Sequence, residues 1–473
     1  METQAQIEDY DLVILGSGAG SKLLAWTFAG SGKRVAVIER KYIGGSCPNI
    51  ACLPSKNVIH AAQIASNARR SGIFRAADPD CFVVEMESVR HRKQKMVEGL
   101  VDAHLALYNA SGAELIMGSG AFTTPKTLKV NLNDGTTRML RGENIIIGTG
   151  THAKIDGSIP GMLPARPLTH VEALELDVIP AHLVILGAGY VGLEFAQAMR
   201  RLGSNVTVID HNSYTLHRED DDVVEELQSL LRDEGIQLVL NAKIKSVSGT
   251  SGQSVQINVE ILGNTASIVG THLLVATGRV PNTKDIGLEK AGVELTEDGF
   301  VKVDAQLRTS APGVWAVGEV AGSPQFTHVS VDDFRVVHEN LMGGNRTTTG
   351  RQVPFCLFTD PEFARVALSE KEAVARGIEY RLFKIPMAEV LRAQSVMETR
   401  GFMKCLVEPG TDLILGFSMF GQSAGEVMAC VQVARQAGLP YTALRDLMFA
   451  HPTFAEGLGS LFSSIPTHSQ PVS

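Results

Sequence analysis

Cysteine is scarce. Six in 473 residues cannot form a structural disulfide scaffold for so long a chain. No metal-ligand cluster of histidine and cysteine accompanies them, so no metal is expected. No uninterrupted apolar run approaches the roughly 20 residues of a membrane span. The opening stretch, Met1 to Tyr10, is acidic and has no apolar core, which argues against a signal peptide and for a cytoplasmic location. Excess positive charge is also missing. A net charge of −8 argues against nucleic acid and anionic membrane surfaces as partners. Charged residues at 20% and hydrophobic residues at 44% mark an ordinary globular composition. The length predicts three or four domains rather than one core.

What is present begins with a nucleotide-binding pattern. Asp11 to Leu15 reads as a short apolar strand, followed by Gly16-Ser17-Gly18-Ala19-Gly20-Ser21 and a helix to about Gly30. Arg34 to Glu39 reads as the next strand. This βαβ unit offers helix N-terminal amides to a pyrophosphate. Ser21 stands where the third glycine of GxGxxG belongs, a departure expected to loosen helix–strand contact slightly. Glu39 stands where a ribose hydroxyl ligand belongs. The pattern recurs in full at Gly187-Ala188-Gly189-Tyr190-Val191-Gly192, after the strand His182 to Leu186. Asp210 follows Gly187 at the interval by which Glu39 follows Gly16. Two fingerprints with one spacing predict two dinucleotide sites. An acid at the second position favours a free ribose hydroxyl, hence NADH over NADPH, with His211 and His217 as partial counterweights.

Between the fingerprints lies the stretch Gly44-Gly45-Ser46-Cys47-Pro48-Asn49-Ile50-Ala51-Cys52-Leu53-Pro54-Ser55-Lys56. Five residues of straight helix rise roughly 7.5 Å, and disulfide partners prefer Cα atoms about 5.5–6 Å apart. The first helical turn must therefore be irregular if Cys47 and Cys52 are to bond. Gly44, Gly45 and Pro48 supply freedom and constraint for that. A thiol near a helix N-terminus is reactive as thiolate. One close pair in a cytosolic chain points to redox or metal chemistry. Cys81, Cys356, Cys405 and Cys430 have apolar neighbours and read as small core residues.

Other segments are plainer. Arg218-Glu219-Asp220-Asp221-Asp222 reads as a solvated, dipole-matched helix N-terminus. Residues 249–254 read as a hairpin loop and 343–352 as a linker. The tail after Phe462, with Pro466, Gln470 and Pro471, is expected to fray.

Four further stretches complete an ordered set: Ala276-Thr277-Gly278-Arg279-Val280-Pro281-Asn282, Trp315-Ala316-Val317-Gly318-Glu319, His451-Pro452-Thr453-Phe454-Ala455-Glu456 and the cysteine box itself. With both fingerprints, they make the chain resemble the class I pyridine nucleotide–disulfide oxidoreductases, which include dihydrolipoamide dehydrogenase, glutathione reductase and mercuric reductase. The likeness runs from Asp11 to about Phe462. It implies an α/β fold with two Rossmann-like dinucleotide-binding domains and a C-terminal α+β dimerisation domain. The implied division is 1–150 and 276–345 for FAD, 151–275 for NAD(P) and 346–473 for dimerisation.

The resemblance also implies roles. Gly16, Gly18, Ser21 and Glu39 would hold FAD, as would Gly318 and Glu319, where the family usually has aspartate. Gly187, Gly189, Gly192, Asp210 and Gly278 would hold NAD(P)H, with Tyr190 covering the nicotinamide or merely packing. Cys52 would lie nearest the flavin and Cys47 would exchange with substrate. Lys56 and Glu194 would pair near the flavin's reactive nitrogen. His451 would act as acid–base, oriented by Glu456, and would face the other subunit's cysteines in a homodimer. Thr453-x-x-Glu456 is also a capping box, so that glutamate has two readings.

The implied function is an NAD(P)H-linked, FAD-dependent disulfide reductase or dithiol dehydrogenase, acting on a small-molecule or protein disulfide. The alternative is a metal-ion reductase of the mercuric type, to which Pro48-Asn49-Ile50 leans. Against it, mercuric reductases typically carry a C-terminal vicinal cysteine pair and lack this histidine. Here the last cysteine is Cys430, and His451 is present. A third reading is a flavoprotein whose thiol pair senses redox state without turnover.

Overall fold

The computed structural model describes residues 6–70 and 83–468. Cys81, Gln470 and Pro471 lie outside them. The chain opens with β1 (Ile7–Leu15), turns at Gly16 into α1 (Ala19–Gly30), and enters β2 (Val35–Glu39) parallel to β1. All five residues of β2 are buried, as in a parallel strand covered on both faces. The cysteine box forms α2 (Ser46–Asn49) and the start of α3 (Cys52–Arg70), and α4 (Met86–Ser111) follows. Then come β3 (Glu114–Thr124), β4 (Thr127–Leu132) and β5 (Thr137–Ile147), the last returning parallel beside β1.

β6 (Thr151–Ala153) and α5 (His170–Ala173) lead to a second βαβ unit. It runs β7 (His182–Leu186), α6 (Tyr190–Leu202), β8 (Asn205–Ile209), α7 (Asp221–Asp233) and β9 (Gln237–Val239). A meander of β10 (Ala242–Thr250), β11 (Ser254–Ile261) and β12 (Asn264–Gly270) has its first turn where a hairpin loop is expected. β13 (His272–Val275) completes a parallel sheet of order β13-β7-β8-β9. β14 (Arg279–Pro281) pairs with β6, α8 (Leu288–Ala291) follows, and β15 (Val314–Ala316) joins β5. The first sheet is thus built from two segments separated by the second unit. α9 (Thr327–Leu341) packs on α1.

The remainder is β16 (Phe355–Leu357), β17 (Glu362–Ala367), α10 (Glu370–Ala375), β18 (Arg381–Pro386), α11 (Leu391–Ser395), β19 (Phe402–Val407), β20 (Ile414–Gly421), α12 (Ala424–Gln436), α13 (Tyr441–Arg445), α14 (Gly457–Ser463) and β21 (Thr467–His468). Its antiparallel sheet has the order β16-β17-β20-β19-β18-β21. The expected fold class, α/β with a C-terminal α+β unit, is what the chain adopts.

Three expectations need correction. The tail does not simply fray after Phe462, because β21 pairs with the otherwise open edge of β18. Ser21 does not loosen its helix. It is buried, and Gly148 opposite makes the room: a Cβ there would lie 2.0 Å from Ser21 Oγ. The acidic stretch does form the N-terminus of α7, with Arg218 and Asp221 exposed, but it is not solvated throughout. Glu219 and Asp220 are buried against the C-terminal sheet. Of the remaining cysteines, Cys405 is fully buried, whereas Cys356 and Cys430 pack at the edge of the core.

Lys404 explains the buried acids. Its side chain is 0% exposed, and Nζ lies 2.8, 2.7 and 2.7 Å from Asp220, Asp222 and Glu370. These carboxylates have the spacing of a metal site, and the ammonium fills it. Burial pushes both aspartyl carboxyls up. The Lys404 charge and hydrogen bonds outweigh it, leaving them below the usual range. Their contribution is therefore present above about pH 3.9, the ordinary aspartate value, and lost as pH falls through the lower folded values. Lys404→Met leaves buried carboxylates uncompensated and should cost about 3–5 kcal/mol in chemical denaturation. A loss below about 1 kcal/mol would contradict this account.

Candidate functional site

The first cradle forms at the start of α1. Gly16 has φ +98°, and a Cβ there would lie 2.4 Å from the Gly148 carbonyl oxygen, so only glycine fits. The first amides of α1 lie at the anion-binding end of the helix, where Gly20 donates to the Ser330 hydroxyl at 3.0 Å. Glu39 ends β2, and its carboxylate is fixed from two sides. Oε2 accepts from the Ser17 amide (3.0 Å) and hydroxyl (2.8 Å), and Oε1 from the amides of Lys41 and Tyr42. The redox loop presses on this cradle. Gly45 has φ +81°, and a Cβ on it would lie 2.6 Å from Gly18 Cα.

The predicted irregular turn is a break between two helices. Cys47 lies in four-residue α2, Ile50 leaves helical geometry at φ −139°, and Cys52 begins α3. Asn49 Nδ2 ties the loop by donating to the Ile43 and Gly45 carbonyls at 2.9 and 2.8 Å. Both cysteines are free thiols here. Their acidities diverge. Hydrogen bonding to Cys52 and burial push Cys47 well up. The bond from Cys47, then the Thr327 hydroxyl and the Lys56 charge, hold Cys52 below the usual thiol range against burial. Thr327 Oγ1 stands 3.4 Å from Cys52 Sγ at the start of α9. Sequence reasoning missed it, since a lone threonine far along the chain carries no motif.

Lys56 and Glu194 meet as expected, at 2.5 Å, with Glu194 nearly buried. Glu194 Oε1 also accepts from the Phe358 amide at 3.0 Å, and Lys56 Nζ lies 4.7 Å from the Phe358 ring centroid. The helix carrying Cys52 is thereby tied to α6 and to the C-terminal unit.

The second cradle opens on a cavity of about 900 Å³. Gly187, Gly189, Tyr190, Asp210 and Gly278 line it. A Cβ on Gly192 would lie 2.0 Å from the Gly187 carbonyl oxygen, so helix and turn touch. Asp210 accepts from the Ala188 amide at 2.6 Å and the Asn212 amide at 2.8 Å. His211 and His217 are exposed on the same cavity's rim. Tyr190 does pack, edge-on to Phe355 at 5.6 Å, while its hydroxyl donates to buried Glu219 at 3.1 Å. Arg365 pairs with that glutamate at 3.0 Å.

Glu319 is held by Thr151 and by Arg279 Nε at 3.1 Å. Gly318 donates its amide to fully buried Asp333 at 2.7 Å. Glu456, itself the N-cap of α14, contacts both His451 and Thr453. Oε2 lies 2.9 Å from His451 Nδ1, while Oε1 and the amide complete a reciprocal box with Thr453 at 3.3 and 3.2 Å. The His451 side chain is 64% exposed in the single chain and bonds Glu456 rather than either cysteine.

Two sequence-family descriptions match: "Pyridine nucleotide-disulphide oxidoreductase" over residues 10–333, and its dimerisation domain over 353–461. The chain belongs to the pyridine nucleotide–disulfide oxidoreductase family. It is 35% identical over 461 residues to the probable pyridine nucleotide-disulfide oxidoreductase RclA of Escherichia coli, covering 96% of this chain and 99% of that one. It is 32% identical to dihydrolipoamide dehydrogenase of Chaetomium thermophilum, covering 95% and 89%. A solved Cu(II) complex of the HOCl-induced flavoprotein disulfide reductase RclA from Escherichia coli superposes with TM-score 0.87 at 34% identity, covering 96% and 99%. The chain is accordingly a flavoprotein oxidoreductase acting on sulfur groups, with FAD and NAD(P)H as cofactors. It carries the family's dimerisation domain. Among the described residues, no helix is long and apolar enough to cross a membrane.

Asp210 at the second cradle makes NADH the expected cofactor. A carboxylate there accepts from a 2′-hydroxyl and repels a 2′-phosphate. kcat/KM should be higher for NADH than for NADPH. A clear NADPH preference would show that His211 and His217 govern the pocket instead.

Proposed function

We propose that this enzyme carries electrons from NADH to a disulfide substrate through Cys47 and Cys52. Two free thiols on either side of a helix break, with Cys52 beside the Thr327 hydroxyl, carry this reading. Cys52, bonded to Thr327 and near Lys56, is the thiolate of the reduced pair, and Cys47 is the exchanging sulfur. The partner subunit's His451 takes the Cys47 proton, Cys47 attacks one substrate sulfur, and the substrate's S–S bond breaks as a mixed disulfide forms. The leaving thiolate takes a proton from the partner subunit's His451, which Glu456 orients. Cys52 then attacks Cys47 Sγ, releasing the second substrate thiolate and closing the Cys47–Cys52 bond. Bound FAD supplies the two-electron chemistry that links this pair to the nicotinamide. The residues present fit that group: an amide cradle only glycine can line, Glu39 beyond it, and the Lys56–Glu194 pair beside the thiols.

The reading extends to a cytoplasmic homodimer with shared sites, and to FAD (1–150, 276–345), NAD(P) (151–275) and dimerisation (346–473) domains. Tyr190 covers the nicotinamide, and Glu319 reaches the flavin side chain through its cluster with Arg279 and Thr151. A metal-ion reductase is the second reading, favoured by the Cu(II) complex of the similar RclA structure.

NADH oxidation measured against lipoamide, glutathione disulfide, Hg(II) and Cu(II) separates these readings. Turnover with a disulfide supports the first, and turnover with metal ions alone contradicts it. His451→Ala should slow disulfide turnover roughly 10²–10⁴-fold while leaving flavin reduction by NADH nearly unchanged. Hybrid dimers of Cys47→Ser and His451→Ala subunits should regain activity, because one of the two sites keeps both groups. Verified hybrids that stay inactive would sink the shared-site arrangement.

A further inference from the structure

Ser17 lies inside the first cradle and is fully buried. Its hydroxyl stands 2.8 Å from Glu39 Oε2 and 3.1 Å from the Tyr42 carbonyl oxygen, and it accepts from the Gly44 amide at 2.9 Å. A hydroxyl has one proton, so Glu39 and Tyr42 are alternative acceptors. The bond from Gly44 uses the oxygen and is compatible with either. Gly44 opens the redox loop three residues before Cys47. Asn49 braces that loop only internally, because both of its acceptors, Ile43 and Gly45, belong to it. Gly45 meets Gly18 sterically. The Ser17 oxygen is the polar tie between loop and cradle.

Glu39 adds a second constraint. An ionised carboxylate offers about four lone pairs. Four donors meet them here: the amides of Lys41 and Tyr42 at Oε1, and the amide and hydroxyl of Ser17 at Oε2. A ribose hydroxyl can donate to Glu39 only if one of these withdraws. Three are backbone amides whose directions the chain fixes. The Ser17 hydroxyl alone can turn about a single bond, and the Tyr42 carbonyl is within its reach. That oxygen accepts from the Gly45 amide at 2.8 Å, and a carbonyl has a second lone pair.

We propose that Ser17 is a positioning residue shared by the FAD cradle and the redox loop. Its O–H turns from Glu39 Oε2 to the Tyr42 carbonyl when a ribose hydroxyl takes its place, while its oxygen holds Gly44 throughout. No covalent bond forms or breaks. The cradle can thus fill without releasing the loop that carries Cys47 and leads, through α2, to Cys52. The proposal rests on the assignment of Glu39 to the adenosine ribose of FAD.

The test is Ser17→Ala, which removes a single oxygen. In the FAD-loaded enzyme it should speed amide hydrogen exchange across residues 43–50 about tenfold, the order that one lost hydrogen bond produces. It should also weaken the thiolate–flavin charge-transfer band of the reduced enzyme. The FAD dissociation constant, read from flavin fluorescence, should stay near the wild-type value, because Oε2 is then open to the ribose at all times. Ser17→Thr retains the hydroxyl and should restore both slow exchange and the band. Wild-type exchange and an unchanged band in Ser17→Ala would overturn the proposal. Loss of FAD from Ser17→Ala would overturn it too, since Ser17 would then hold the cofactor rather than the loop. Glu39→Gln should weaken FAD binding, and unchanged affinity there would overturn the ribose assignment beneath the proposal.

Discussion

The contact of Gly45 with Gly18 governs the rest of the site. Two loops far apart in role, one shaped for a pyrophosphate and one carrying the thiols, approach until no Cβ fits between them. Gly45 also holds a positive φ that other residues adopt only under strain. The approach sets where α2 ends and where Cys52 begins α3. From there the Thr327 hydroxyl and the Lys56 charge reach Cys52. The chemical difference between two identical side chains follows from that geometry.

The units are tied by charges buried at their boundaries. Lys56–Glu194 joins α3 to α6. Arg201 on α6 pairs with Glu234 at 2.7 Å and with Asp360 ahead of β17 at 2.5 Å. Lys404 collects three carboxylates from α7, its N-cap and α10. Such pairs contribute modestly to net stability but are costly to break, so they fix orientation more than they add strength. Tyr190 benefits directly: its hydroxyl is held by a glutamate that Arg365, on the C-terminal sheet, holds in turn.

Much of this was legible in the sequence, and for identifiable reasons. The glycines at 16 and 187 announce turns that no other residue makes, and Glu39 and Asp210 stand where such turns require an acid. The thiol spacing requires an irregular first turn if the two cysteines are to bond, and the break after Asn49 provides one. What was not legible depends on residues brought together from afar. Thr327 has no local signature. The acids at 219 and 220 read as solvated because their partners, Arg365 and Lys404, come from another unit. Ser21 read as a loosened contact because Gly148, which accommodates it, lies in a strand-end loop with no motif of its own.

The central claim is that Cys52 is the thiolate facing the flavin and Cys47 the sulfur that exchanges. Long-wavelength absorbance of the flavin-loaded enzyme tests it most directly, in wild type and in each cysteine-to-serine variant. Wild type should show a thiolate–flavin charge-transfer band only after two-electron reduction. Cys47→Ser should show it without reduction, and Cys52→Ser should never show it. A band retained in Cys52→Ser and lost in Cys47→Ser would contradict the account and reverse the roles of the two thiols.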